Sequence, residues 1–322
     1  MVPIFDSEVH PWVRVARGWH YLEEGETRPD PSVPEFKRFF WPASQRPGEE
    51  DIGHPPDLSD EYIDAMGKLG ITAGLIMAGA HVCDNDSVAQ IVARHPERLK
   101  GLAYFGRYMP PFVSPTHRQA AFDELEHGLR DLSLLGIGEV WCGEWWPHSQ
   151  EAALKDMHEV FSLCNHYKGA PLLIHAGRNC AGDFAGSVSN EPEWDYADPL
   201  ILDSIAKEFP AVPIVLCHMG KKDRELFDRC VEFARRHSQV FFNTSFTISE
   251  FVTDAVNKIG ADRIIFGTDW YPFEANQKDT DVYHHRKQIR VVDEAEISDQ
   301  DKEKIFWRNL DHLIGMPAGK QP

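Results

Sequence analysis

At 322 residues, with 42% hydrophobic and 26% charged side chains, the chain has an ordinary globular balance and enough length for one large α/β barrel. A formal charge of −18 argues against nucleic acid and anionic membranes as partners. It does not exclude an anionic small molecule, because a single local arginine can hold a carboxylate.

The first apolar run, "VPIFDSEVH" (2–10), reads as a strand ending in Glu8 and His10, with Asp6 one pleat deeper. Residues 11–58 then break the rhythm with Trp12, Trp19, Phe36, Phe39, Phe40 and Trp41, and are expected to form a lid over the barrel mouth. From residue 59 onward helices and strands alternate. Helix-like stretches over 59–70, 86–99, 118–136, 151–169, 198–210, 224–237 and 249–260 place apolar residues at i, i+3 and i+4, several with glycine stops. Between them lie seven more short apolar runs: 71–79, 99–108, 137–146, 170–178, 212–220, 240–246 and 263–270. A last helix is expected over 298–315.

Strands that are apolar throughout and alternate with helices call for a parallel sheet covered by helices. Eight such units match a closed (β/α)8 TIM-type barrel with a long lid-like loop after strand 1 and an extra C-terminal helix. The open doubly wound alternative lacks a GxGxxG after the first strand. No repeat or linker divides the chain, so residues 1–322 are expected to form one domain. Cys83, Cys142, Cys164, Cys180, Cys217 and Cys230 form no CxxC pair, which points to free thiols in a reducing compartment. With no signal-peptide pattern and no apolar run near the roughly 20 residues of a membrane span, a soluble cytoplasmic protein is expected.

Barrel chemistry sits at the C-terminal ends of strands. Strand 1 ends in Glu8 and His10, strand 5 in His175 of "LLIHAG", strand 6 in His218 of "VLCHMG" and strand 8 in Asp269 of "IFGTDW". Residues two apart on a strand point the same way, about 6.6 Å apart along it. Glu8 and His10 can therefore lean toward one ion at about 2.1 Å, with His175 and Asp269 completing an N2O2 shell. Imidazole with carboxylate suits Zn2+, Mn2+, Fe2+ or Co2+ and does not choose among them; one divalent metal ion is expected, with Zn2+ put first and Mn2+ second. His127, His158 and His166 fall in helix-like runs and read as solvated. Arg178 and Arg107 are candidates to hold a substrate carboxylate, and Trp145 and Trp146 to wall the pocket.

From "FDSEVH" through "IHAG", "CHMG" and "GTDW" to "WRNLDHLIG", the chain resembles the amidohydrolase superfamily. The likeness is to its amidohydrolase-related branch, which contains aminocarboxymuconate-semialdehyde and γ-resorcylate decarboxylases. The resemblance implies a TIM barrel with Glu8, His10, His175 and Asp269 as metal ligands, His218 acting near substrate or metal, and a homodimer. Glu8 stands where most relatives carry His. Lys221 stands where resorcylate-type decarboxylases carry Glu three residues after the strand-6 His. That departure leads to a metal-dependent hydrolase as the first expectation, acting on a small carboxylated cyclic or aromatic compound through metal-activated water, with Asp269 and His218 handling protons. A non-oxidative decarboxylase of an aromatic or enoic acid is the alternative, and a non-catalytic ligand-binding barrel the third reading.

Overall fold

A computed structural model of the chain describes residues 2–11, 20–22, 40–42, 57–78, 83–106, 108, 114–142, 149–178, 195–270 and 278–315. Among the described residues, eight parallel strands make the barrel: β1 (Ile4–Val9), β2 (Ile71–Met77), β3 (Leu99–Leu102), β4 (Ile137–Val140), β5 (Leu172–His175), β6 (Ile214–Cys217), β7 (Val240–Asn243) and β8 (Ile264–Ile265). Strands β1 to β3 form one ladder and β4 to β8 another. Two parallel bridges, Val9 with Trp270 and Ala103 with Ile137, join them into a closed barrel. The eighth strand is shorter than the sequence implies. Past Ile265 the chain stays beside β1 through backbone bonds, with Ser7 N donating to Phe266 O at 3.0 Å and His10 N to Trp270 O at 2.9 Å.

Helices alternate with the strands as expected: α1 (Ser59–Leu69), α2 (Asn85–Arg94), α3 (Pro115–Arg130), α4 (Gln150–His166), α5 (Asp203–Glu208), α6 (Arg224–Arg236) and α7 (Ser249–Ile259). Their ends follow local chemistry. Asp84, Ser114, Ser149 and Asp223 cap α2, α3, α4 and α6 by accepting from backbone N–H groups one turn on. Gly70 stops α1 in the left-handed region at φ 73° and donates to Met66 O. An eighth helix, α8 (Lys278–Asp293), has no counterpart in the sequence reading. The expected terminal helix divides into α9 (Asp299–Glu303), a π-helical turn (Lys304–Arg308) and α10 (Asn309–Ile314).

Strand periodicity separates two apolar layers. Phe5, Ala73, Leu75, Met77, Leu102, Leu173, Val215, Cys217 and Ile265 fill the barrel interior, and Leu310 of α10 joins them. Trp307 meets Phe5 edge-on at 6.0 Å, so the terminal helices close the end of the barrel where the strands begin. Asn309 anchors that plug by donating to the carbonyls of Ala261 and Ile264, both at 2.7 Å. The inward rows Leu173–His175 on β5 and Phe241–Asn243 on β7 turn polar at their last residue, which builds a polar mouth above an apolar core. The proposed lid, 11–58, lies outside the described residues except for Pro11, Asp57, Leu58 and two three-residue strands, His20–Leu22 and Phe40–Pro42, which pair in parallel.

Candidate active site: a buried carboxylate–imidazole cluster

Six ligand-type side chains meet at the strand C-termini: Glu8 from β1 and His10 just past it, Glu139 from β4, His175 from β5, His218 just past β6 and Asp269 beyond β8. Glu8 and His218 are fully buried. His10 Nε2 lies 3.5 Å from Asp269 Oδ1, and His218 Nε2 lies 3.8 Å from Glu8 Oε1. Glu139 Oε1 sits 2.9 Å from His175 Nδ1 and 3.1 Å from His218 Nε2. The two imidazoles meet edge to face with an interplanar angle of 69°, His218 Nε2 and His175 Nδ1 being 3.0 Å apart.

Local backbone geometry aims these groups. Between the pairs Ile137–Leu172 and Val140–Ile174, β4 has two residues, Gly138 and Glu139, against one on β5, Leu173, a bulge that re-aims Glu139. Gly138 is required beside it, because a Cβ there would lie 2.5 Å from the Leu173 Cβ. His218 and Asp269 hold left-handed backbone, with φ of 69° and 50°. That conformation is costly for a non-glycine residue and is retained where a side chain must point a particular way.

Residues behind the cluster hold it in place. Glu8 Oε2 accepts from Asn243 Nδ2 and Ser245 Oγ, each at 2.6 Å. His218 Nδ1 contacts Ser245 Oγ at 2.8 Å, and the His218 backbone N–H donates to Asn243 Oδ1 at 3.0 Å. Asp6 does not stack beneath Glu8 as the two-residue spacing suggests. The β1 register shifts between Asp6 and Val9, and Asp6 instead accepts from Tyr62 of α1 at 3.1 Å and from Thr268 Oγ1 at 2.7 Å.

The electrostatics of the cluster match a cation site. Burial, with the Glu139 and Asp269 carboxylates nearby, holds the Glu8 carboxyl well above the usual range. Burial acts the same way on Glu139, but His175 and His218 outweigh it and hold that carboxyl well below its ordinary value. Burial first, then His175, lowers His218 to about 4, so its imidazole is neutral. Burial raises the Cys217 thiol well above its usual value, and the Glu8, Glu139 and Asp269 carboxylates add to the effect, which makes it a poor nucleophile. Glu8 Oε1 is buried and has no hydrogen-bond donor among the described residues. Leaving a carboxylate oxygen so costs several kcal/mol, roughly, unless a cation meets it. The donor set therefore fits a divalent metal ion.

The four residues of the expected shell fall into overlapping groups. Glu8 groups with His10 and Glu139, and also with His218 and Asp269, whereas His175 groups with Glu139 and His218. Arg178 is engaged by Asp195 and by Asp223 Oδ2, the latter at 2.6 Å. Arg107, Trp145 and Trp146 lie outside the described residues. Sequence reading passed over Glu139, Asn243, Ser245 and Trp141, whose ring lies 5.4 Å from that of His175. Glu139 left a signal as the lone charge in the "IGEVW" run, and Asn243 and Ser245 show period two in "FNTSF".

A closed (β/α)8 barrel with carboxylates and imidazoles at its C-terminal mouth defines a metal-dependent barrel enzyme. The chain belongs to the amidohydrolase family, whose model matches residues 5–309. A γ-resorcylate decarboxylase from Polaromonas sp. (strain JS666 / ATCC BAA-500) is 24% identical over 305 residues, covering 80% of this chain and 87% of that protein. The crystal structure of 2,6-dihydroxybenzoate decarboxylase complexed with 2,6-dihydroxybenzoate matches 98% of this chain and 100% of its own, with TM-score 0.60 and 20% identity. Dihydroxybenzoic acid decarboxylase from Polaromonas sp. JS666, with bound manganese and 2-nitroresorcinol, matches 98% of each chain with TM-score 0.53 and 20% identity.

Proposed function

We infer that the protein is a metal-dependent, non-oxidative decarboxylase acting on a small aromatic or enoic acid. The observation that carries this reading is the alignment of four-fifths of the chain (80%) with a γ-resorcylate decarboxylase. It reverses the order set by Lys221, which had put hydrolysis first. Glu8, His10 and Asp269 are the proposed ligands of a divalent ion, with His175 as the fourth member of the shell implied by the resemblance. Mn2+ is supported by the manganese in the dihydroxybenzoic acid decarboxylase, and Zn2+ remains the other candidate. When bound, the ion supplies Lewis acidity at the mouth of the barrel.

The carbon that loses CO2 keeps the bond's electron pair and takes up one proton. Asp269 and His218 are the proposed proton-handling groups. That proton comes from the incoming acid or from water: the neutral His218 imidazole would take it up and pass it to the carbon as CO2 leaves. Arg107, Trp145 and Trp146 are proposed to contact substrate. Arg178 would do so by exchanging Asp195 or Asp223 for the substrate carboxylate. A homodimer in the cytoplasm is the proposed state.

One observation favours hydrolysis as a second reading. Lys221 occupies the position of the resorcylate-type Glu and places its ammonium 5.7 Å from the Phe246 ring, beside His218. Mass spectrometry of metal-loaded protein with hydroxybenzoic acids, enoic acids, lactones and cyclic amides separates the two. Loss of CO2 from an acid supports the decarboxylase. Gain of water by a lactone or amide, with every acid unchanged, overturns it.

A further inference from the structure

The loop after β6 carries four consecutive residues at positive φ: His218 at 69°, Met219 at 36°, Gly220 at 80° and Lys221 at 55°. Gly220 takes this conformation without cost, and a Cβ there would lie 2.6 Å from the Phe227 backbone N. At Lys221 the combination φ 55°, ψ −113° falls outside the regions open to a residue with a Cβ. Such strain persists where the surrounding structure over-determines it, and it gathers at sites that must aim a side chain at a ligand.

Three loops of the mouth hold Lys221. Its backbone N–H donates to His218 O at 2.7 Å, and Gly220 N–H donates to Ala176 O at 2.8 Å, which ties the loop after β6 to the loop after β5. Thr247, in the loop after β7, donates from Oγ1 to Lys221 O at 3.4 Å. The lysine stem crosses the face of Gly177, where a Cβ would lie 2.8 Å from Lys221 Cε and 2.9 Å from its Cγ. The ammonium stands 5.7 Å from the centre of the Phe246 ring, and Phe246 is itself held at φ 53°. That ring meets His218 edge-on at 5.9 Å. The ammonium is thus one aromatic ring removed from the cluster, on a partly exposed side chain.

A cation built in at this place has a chemical consequence. The chain has a formal charge of −18, and the mouth gathers Glu8, Glu139 and Asp269, a field that repels a doubly charged acid. In a decarboxylase the carboxylate that leaves belongs at the cluster. A second carboxylate needs a positive partner of its own, and a compact ammonium with rotatable donors supplies one.

We propose that Lys221 is a specificity-determining residue whose ammonium holds a second acidic group of the substrate, which makes the substrate class a dicarboxylic aromatic or enoic acid. The proposal deepens the decarboxylase reading given above and rests on it. The bond to one carboxylate breaks, its electron pair stays on the carbon and takes up one proton, and CO2 departs. The other carboxylate remains on the product, paired with Lys221.

The test compares acids that differ by one carboxylate. Manganese-loaded, full-length protein is titrated calorimetrically with benzoate and the benzenedicarboxylates, and with hexadienoate and hexadienedioate. At least one diacid should bind roughly 10- to 100-fold more tightly than its monoacid, the increment of one charged hydrogen bond. Lys221→Met should erase that preference in protein whose near-ultraviolet circular dichroism shows native packing. Gly177→Ala keeps the lysine and its charge but pushes the stem aside, and should erase the preference as well. Equal affinity for monoacids and diacids in the wild type overturns the anchor. A preference kept in Lys221→Met overturns the choice of residue, and one kept in Gly177→Ala overturns its placement. The decarboxylase reading fails separately. A diacid preference together with gain of water by a lactone, and no CO2 from any acid, refutes that reading and leaves Lys221 as the anchor of a doubly charged substrate.

Discussion

Ser245 is a small side chain that orients two larger ones. Its hydroxyl contacts Glu8 Oε2 at 2.6 Å and His218 Nδ1 at 2.8 Å, so one oxygen sets a carboxylate's rotamer and an imidazole's tautomer. Residues that orient ligands in this way are typically worth about 10- to 100-fold in metal affinity. Ser245→Ala should therefore weaken Mn2+ binding by about that factor in a competition titration, in protein whose near-ultraviolet circular dichroism shows native packing. Unchanged affinity would show that Glu8 and His218 keep their geometry without it. A second expectation follows from the raised carboxyl of Glu8. In metal-free protein its proton persists to higher pH than in an ordinary glutamate, and a bound cation displaces it. Cation affinity should rise with pH through that range, because deprotonation no longer opposes binding. Calorimetry in two buffers of different ionisation enthalpy reads the released proton, and equal apparent enthalpies in both would refute the displacement.

At the scale of elements, the irregular segments do the positioning. The β1 register shift sends Asp6 toward Tyr62 and Thr268, and the β4 bulge aims Glu139 at the two histidines. Period-two reading is blind to both, because a bulge changes which face a residue occupies without changing its place in the sequence. The terminal plug is simpler to read, since the Asn in "WRNLDHLIG" is the residue that anchors it. Asn309→Ala would leave the carbonyls of Ala261 and Ile264 without their donor and should cost roughly 2 to 4 kcal/mol of stability. Manganese content per folded chain should stay at the wild-type level, because the plug is at the opposite end of the barrel from the mouth. Chemical denaturation with parallel metal analysis checks both parts, and loss of metal without loss of stability would contradict the assignment.

For the whole molecule, a buried cluster of like charges couples metal to stability. A ligand at about 100 times its Kd adds about 2.7 kcal/mol to the folded state. Chelation should therefore lower the melting temperature by several degrees and re-addition of Mn2+ should restore it; identical melting curves would show that the cluster is stable without a cation. Legible in the sequence were the eight barrel strands, the seven helices α1 to α7 between them, the terminal helical stretch without its π-helical turn, and Glu8, His10, His175, His218 and Asp269 as polar residues of the mouth. Those features are local: apolar period, capping residues, and a polar side chain where a strand stops. Only the tertiary structure decided how the cluster divides, with Glu139 between His175 and His218 and with Asn243 and Ser245 beneath Glu8. The physical reason is separation along the chain. Ser245 meets Glu8 across 237 positions and Glu139 meets His175 across 36, and nothing within one strand's own pattern specifies which lone pairs converge when the barrel closes.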